Sequence, residues 1–145
     1  MKSKIIGFVR KVLLVKIWFT LVAWAFPLIL IPSCCLDKAG LPAIQPPLFG
    51  ALLGVSYLSL AICYYNGLLD TYRDKFPMTA VAVGIVSNGL SAFFLTIYLW
   101  PNLFPEFDNL AFFFLFGSLV ITTGICYGLA RSLILYAHFG FLHSK

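Results

Sequence analysis

The sequence predicts an all-α integral membrane protein: an up-down-up-down bundle of four transmembrane helices. Three observations carry this. Of 145 residues, 61% are apolar and only 10% are charged, where an ordinary soluble domain has about a quarter charged. The mean hydropathy is +0.98. The apolar residues fall into four stretches, each near the roughly 20 residues that a spanning helix needs. Soluble enzyme folds and nucleic-acid-binding modules are excluded, because too few polar residues exist to cover a soluble surface.

The expected helices cover about 12–31, 48–69, 78–100 and 110–130. They form a single domain with a basic N-terminal segment and an interfacial C-terminal segment. The first contains one charge, Lys16, placed one turn in and able to reach the headgroups. It ends at Pro32 and the run Cys34-Cys35-Leu36-Asp37-Lys38. Pro27 inside it removes the bond that the Ala23 carbonyl would accept and predicts a kink. Pro46 and Pro47 precede the second helix, where a missing N–H costs nothing. Asp70, Arg73, Asp74, Lys75 and Pro77 separate the second from the third. Pro101, Pro105, Glu106 and Asp108 separate the third from the fourth, and Arg131 closes the last. Barrel strands would be shorter and would alternate polar with apolar, which these segments do not.

Orientation follows from charge. With four spans, the N-terminal segment, the loop between helices two and three, and the C-terminal segment share one side. They hold nine of the ten basic residues; the other side has only Lys38. Both termini are therefore expected in the cytoplasm. The net charge of +5 is read as orientation and contact with anionic lipid, with no nucleic acid as partner. The first helix starts like a signal peptide, but its apolar run is long for one, and Pro32 precedes Ser33 directly. It is expected to be retained.

Candidate chemistry is sparse. All five carboxylates lie in loops, and both histidines, His138 and His143, lie in the C-terminal segment. This speaks against a proton-coupled exporter and against a haem bundle. No metal site is expected, no catalytic set emerges, and the chain reads as non-enzymatic. Cys34 and Cys35 form a vicinal pair and are the redox candidate, although no Cys-x-x-Cys occurs. The mid-helix polar residues form a belt: Trp24, Ser56, Tyr57, Ser59, Asn88 and Thr122. They serve either as interhelical hydrogen bonds or as a site for a lipid or quinone headgroup. Gly50, Gly54, Gly84, Gly124 and Gly128 are the expected close-packing positions. Two pairs have the G-x-x-x-G spacing that lets helices approach.

The runs Phe26-Pro27-Leu28-Ile29-Leu30-Ile31-Pro32, Gly40-Leu41-Pro42 and Leu48-Phe49-Gly50-Ala51-Leu52-Leu53-Gly54 resemble small four-helix bacterial membrane proteins of the DoxX-like kind. The likeness covers the first two helices and, weakly, the third. It implies a compact four-helix bundle, sometimes an accessory part of redox or quinone-linked complexes, and it transfers no catalytic residue. Two functions follow. The first is a non-catalytic accessory or assembly subunit that binds another membrane protein or itself. The alternative is a lipid- or quinone-binding subunit or small transporter that uses the polar belt. The expected location is a bacterial inner membrane, and the chain lacks any Asn-x-Ser/Thr sequon. No resident cofactor is expected beyond such a lipid or quinone.

Overall fold

The computed structural model describes residues 2–31, 35, 38, 46–99 and 109–142. Among these, all regular structure is helical. Helix α1 is Lys2–Phe19. It continues through a π-helical segment, Thr20–Ala25, into the short α2, Phe26–Leu30. Helix α3 is Pro47–Tyr72, α4 is Met78–Tyr98 and α5 is Asn109–Leu142. Among the described residues four stretches are long and apolar enough to cross a membrane: Ser3–Leu30, Pro47–Tyr72, Met78–Ile97 and Leu110–His138.

Two ends differ from expectation. The first helix begins at Lys2 rather than near residue 12. No proline stands in the basic segment, and Ile5, Ile6, Val9 and Leu13 are buried. Their spacing of three and four residues makes one inward stripe. The last helix runs past Arg131 to Leu142. Arg131 is exposed, and a charge on the outer face of a helix need not end it.

The interruption at Pro27 takes the form of the π segment. Proline offers no N–H to the Ala23 carbonyl. The ladder shifts one turn upstream, where the Phe26 N–H donates to the Leu21 carbonyl five residues back. Such single-turn bulges recur at functional sites.

Each long helix packs on two neighbours. The first (α1, the π segment and α2) lies along α3, and α1 also packs on α5. Helix α4 packs most extensively on α5 and also on α3. Neither diagonal pair, α1 with α4 or α3 with α5, makes a substantial contact. The dry core joins Val9 and Leu13 of α1, Tyr64 and Leu68 of α3, Ala80 and Val81 of α4, and Ile125 and Leu129 of α5. It draws on the N-terminal parts of α1 and α4 and the C-terminal parts of α3 and α5.

The turn from α3 to α4 is closed by backbone bonds. Lys75 N–H donates to the Asp70 carbonyl (3.0 Å) and Asp74 N–H to the Thr71 carbonyl (3.3 Å). Asp74 has φ 55°. This is a Schellman closure with aspartate where glycine is usual. Arg10 of α1 reinforces it, its guanidinium donating to the Thr71 carbonyl at 2.6 Å and lying 4.2 Å from the centre of the Tyr72 ring. A cation is thus placed at the negative end of α3.

The glycines divide. Gly54 is buried, and a Cβ there would sit 2.6 Å from Ile29 Cγ1 and 3.1 Å from the Ala25 carbonyl oxygen. A Cβ on Gly84 would come within 2.5 Å of Leu129 Cδ1, and one on Gly128 would touch Val12 at 3.5 Å. Gly50 is buried as well. Gly124 departs from expectation: it is exposed, with open space around it. The buried stripe of α5 runs through Ala111, Ser118, Thr122, Ile125, Leu129 and Ser132. Gly124 precedes Ile125 and is therefore turned about 100° away from that stripe. Its spacing to Gly128 does not make one packed face.

Candidate functional site

The polar centre of the molecule is a residue expected at the headgroups. Lys16 is 7% exposed. With the helix phased from Lys2, it falls on the buried stripe of Val9, Leu13 and Thr20. It lies six residues beyond Arg10, or about 9 Å deeper along α1. Its Nζ donates to Asn88 Oδ1 at 2.7 Å and stands 5.5 Å from the centre of the Tyr64 ring. Asn88 is fully buried and is the eleventh of the 21 residues of α4. Its Nδ2 donates to the Gly84 carbonyl at 2.6 Å. An amide suits both neighbours, because its oxygen meets an ammonium while its NH2 meets a carbonyl. The bond crosses the diagonal of the bundle, where the long lysine stem reaches what the backbones do not.

Asn88 therefore faces the interior, as its chemistry requires. Its partner is Lys16, not a hydroxyl of a neighbouring helix or the Trp24 indole. The described carboxylates are Asp70, in the last turn of α3 six residues past Tyr64, and Asp74, in the turn that follows. The ammonium is thus held by a neutral amide and a ring face. A lysine at the centre of a spanning helix costs about 2.5–3.5 kcal/mol on insertion scales, and such residues face a bundle interior or a cavity and mark function.

Lys16 does face a cavity, of about 310 Å³. Trp24, Tyr57, Ser91 and Thr122 complete its polar lining, and Leu90, Phe94 and Leu95 its apolar wall. Trp24 comes from the π segment. Its ring stacks on Tyr57 at 5.6 Å and tilts against Phe114 at 5.5 Å. These ring contacts join the first helix to α3 and α5 at this level. The Thr122 hydroxyl donates to the Ser118 carbonyl at 2.8 Å, and its oxygen keeps the capacity to accept. Thr20 lies one turn from Lys16 and Ser118 one turn from Thr122. Both are buried, with hydroxyls that have no partner among the described residues. Buried polar groups without partners are uncommon and cluster where a site needs polar capacity.

The structure thus brings together Trp24, Tyr57, Asn88 and Thr122 of the expected belt. It does not bring in Ser56 and Ser59. Both are outside the cavity, and their hydroxyls bond back to the Leu52 and Val55 carbonyls of their own helix, each at 3.0 Å. Tyr64 and Ser87 share a 2.7 Å hydrogen bond beside the lysine. Sequence reasoning took Lys16 for a charge at the headgroups. The signal for Lys16 was its phase on the stripe 9, 13, 16 and 20.

Of the redox pair, Cys34 lies outside the described residues. Cys126 Sγ donates weakly to the Ile85 carbonyl at 3.6 Å, the behaviour of a small hydrophobe. Among the described residues no group of His, Cys, Asp and Glu could hold a metal ion. Compared with known proteins, the chain matches no family model, no curated protein and no solved structure.

Proposed function

We propose that this protein is an integral membrane protein with both termini in the cytoplasm, and that it binds a small amphiphile in the Lys16 cavity. The observation that carries the reading is the cavity itself, since a pocket of about 310 Å³ lies at the lower end of the range for small-molecule sites. It fits a headgroup or a ring, with the apolar wall of Leu90 and Phe94 for the start of a tail. Apart from the central Lys16, eight of the nine remaining basic residues fall toward one side, which supports the orientation. Exposed apolar side chains such as Trp18, Leu30, Phe113 and Ile134 support the membrane setting. The bacterial inner membrane and the DoxX-like likeness belong to the same proposal.

Native mass spectrometry of the protein purified in mild detergent tests it. A bound small molecule is expected on the intact chain, and Thr122→Leu, which fills the cavity, is expected to lose it while remaining folded. A wild-type chain that carries nothing, and takes up no added lipid or quinone, overturns the reading.

One observation favours the accessory reading. A Cβ added to Gly117 or Gly124 on α5 would meet nothing within 4 Å, so a second helix could approach there. A stoichiometric protein partner in the same spectra would mark that outcome.

A further inference from the structure

We propose that the ligand of the Lys16 cavity carries a single carboxylate, which serves as the counter-ion of Lys16. The inference rests on the ligand-binding reading above and specifies its chemistry. Lys16 is more than nine-tenths buried, and its ammonium donates to one neutral oxygen, Asn88 Oδ1. An ammonium has three donors, so N–H capacity is left for the cavity that the residue lines. The described carboxylates stand six or more residues past Tyr64, about 9 Å or more further along the axis of α3. A buried charge is paired in folded proteins, and in a membrane interior such groups pair with one another or with backbone carbonyls. Among the described residues the chain supplies no acid at this depth, while the cavity gives an incoming anion access to the ammonium.

The number of positive groups limits the anion. One ammonium lines the polar part of the cavity, and the other polar groups there, those of Trp24, Tyr57, Ser91 and Thr122, are neutral. Among the described residues no guanidinium joins them, since Arg10 is committed to the Thr71 carbonyl. That set suits a monoanion with two oxygens better than a phosphate, for which clustered cations and bidentate arginine are the usual device. Leu90, Phe94 and Leu95 would take the first carbons of an apolar tail. A neutral quinone carbonyl could accept the same hydrogen bond but would leave the charge uncompensated.

Bromine quenching of Trp24 fluorescence tests this on the full chain. The other two tryptophans are replaced (Trp18→Phe, Trp100→Phe), and the protein is placed in phosphatidylcholine nanodiscs at pH 8. The probes are 9,10-dibromostearic acid, its methyl ester, and phosphatidylglycerol with brominated chains. The acid should quench saturably and bind about tenfold tighter than the ester, a difference of ~1.4 kcal/mol. That preference should vanish in Lys16→Met, which removes the cation, and in Asn88→Asp, which supplies an internal counter-ion. Equal, saturable binding of acid and ester overturns the carboxylate inference and leaves amphiphile binding standing. A preference for the phosphatidylglycerol over the acid also overturns it, in favour of a bilayer phosphate. Absence of saturable quenching by any probe overturns the ligand reading as well. The acid–ester comparison in the wild-type chain decides the matter even if neither variant folds.

Discussion

The two halves of this bundle are built from similar residues and do opposite things. In one half Val9, Leu13, Tyr64, Leu68, Val81 and Leu129 close into a dry core. Glycine at Gly67 and Gly84 lets Ala80 and Leu129 sit against the neighbouring backbone. In the other half Trp24 packs against Tyr57 and Phe114, and a cavity opens beside Lys16. The transition falls at Lys16 and Asn88. Apolar side chains pack to high density only where the helices can approach. Small residues permit approach in the first half; in the second, Gly54 still brings α3 against the Ala25 carbonyl, and the Trp24, Tyr57 and Phe114 rings pack beside the cavity. The apolar core and the cavity are therefore offset along the helix axes of one bundle.

This comparison breaks most easily in the dry half. Leu129→Ala removes a fully buried side chain and should cost about 2–5 kcal/mol, by analogy with soluble cores. Phe94→Ala, on the cavity wall, should cost well under half of that. Thermal unfolding in detergent measures both, and similar losses would show that the halves do not differ in packing.

Gly54→Leu should overpack the contact with Ile29 and the Ala25 carbonyl, at a cost of about 1–3 kcal/mol. Gly124→Leu should leave thermal stability unchanged, because that position is open. If the two behave alike, close approach is not what distinguishes their faces.

At the boundary, Asn88→Leu deprives a buried ammonium of its hydrogen-bond acceptor, and a loss of about 1–3 kcal/mol is expected. Lys16→Met in the same background should recover most of it, since the pair then becomes apolar. Failure of the double variant to recover stability would mean that Asn88 acts through Gly84 alone.

The turn offers a gain. Asp74→Gly relieves a non-glycine residue at φ 55° and should stabilise by up to ~1 kcal/mol, partly offset by a freer unfolded chain. The smallest effect is expected at Ser56. Ser56→Ala should stay within about 0.5 kcal/mol, as for other exposed sites, and should leave amphiphile binding intact. Weakened binding would place Ser56 at the cavity after all.

Much of the helix pattern is local and was legible. Runs of apolar residues bounded by prolines and charges announce four helices, because each backbone group must find its partner within its own segment. The reach of the first helix was less legible. Basic residues in its opening turns read as a flanking segment, yet their apolar neighbours Ile5, Ile6 and Val9 continue the buried stripe. That error of phase is why Lys16 read as a snorkelling charge. The polar belt was half legible for a related reason. Ser56 and Tyr57 are adjacent, and a helix turns adjacent residues about 100° apart, so Tyr57 reaches the cavity while Ser56 faces outward and satisfies itself on its own helix.

The sequence by itself determined the helical class, the apolar exterior and the scarcity of charge within the helices. These are set by composition and by short-range hydrogen bonding. Only the tertiary structure decided that Lys16 and Asn88, 72 residues apart, meet across a diagonal. It also decided that Gly54 is packed while Gly124 is open. The physical reason is that a side chain's partner depends on how each helix is rotated about its axis. That rotation is fixed by the sum of contacts along all four helices, which no single segment encodes.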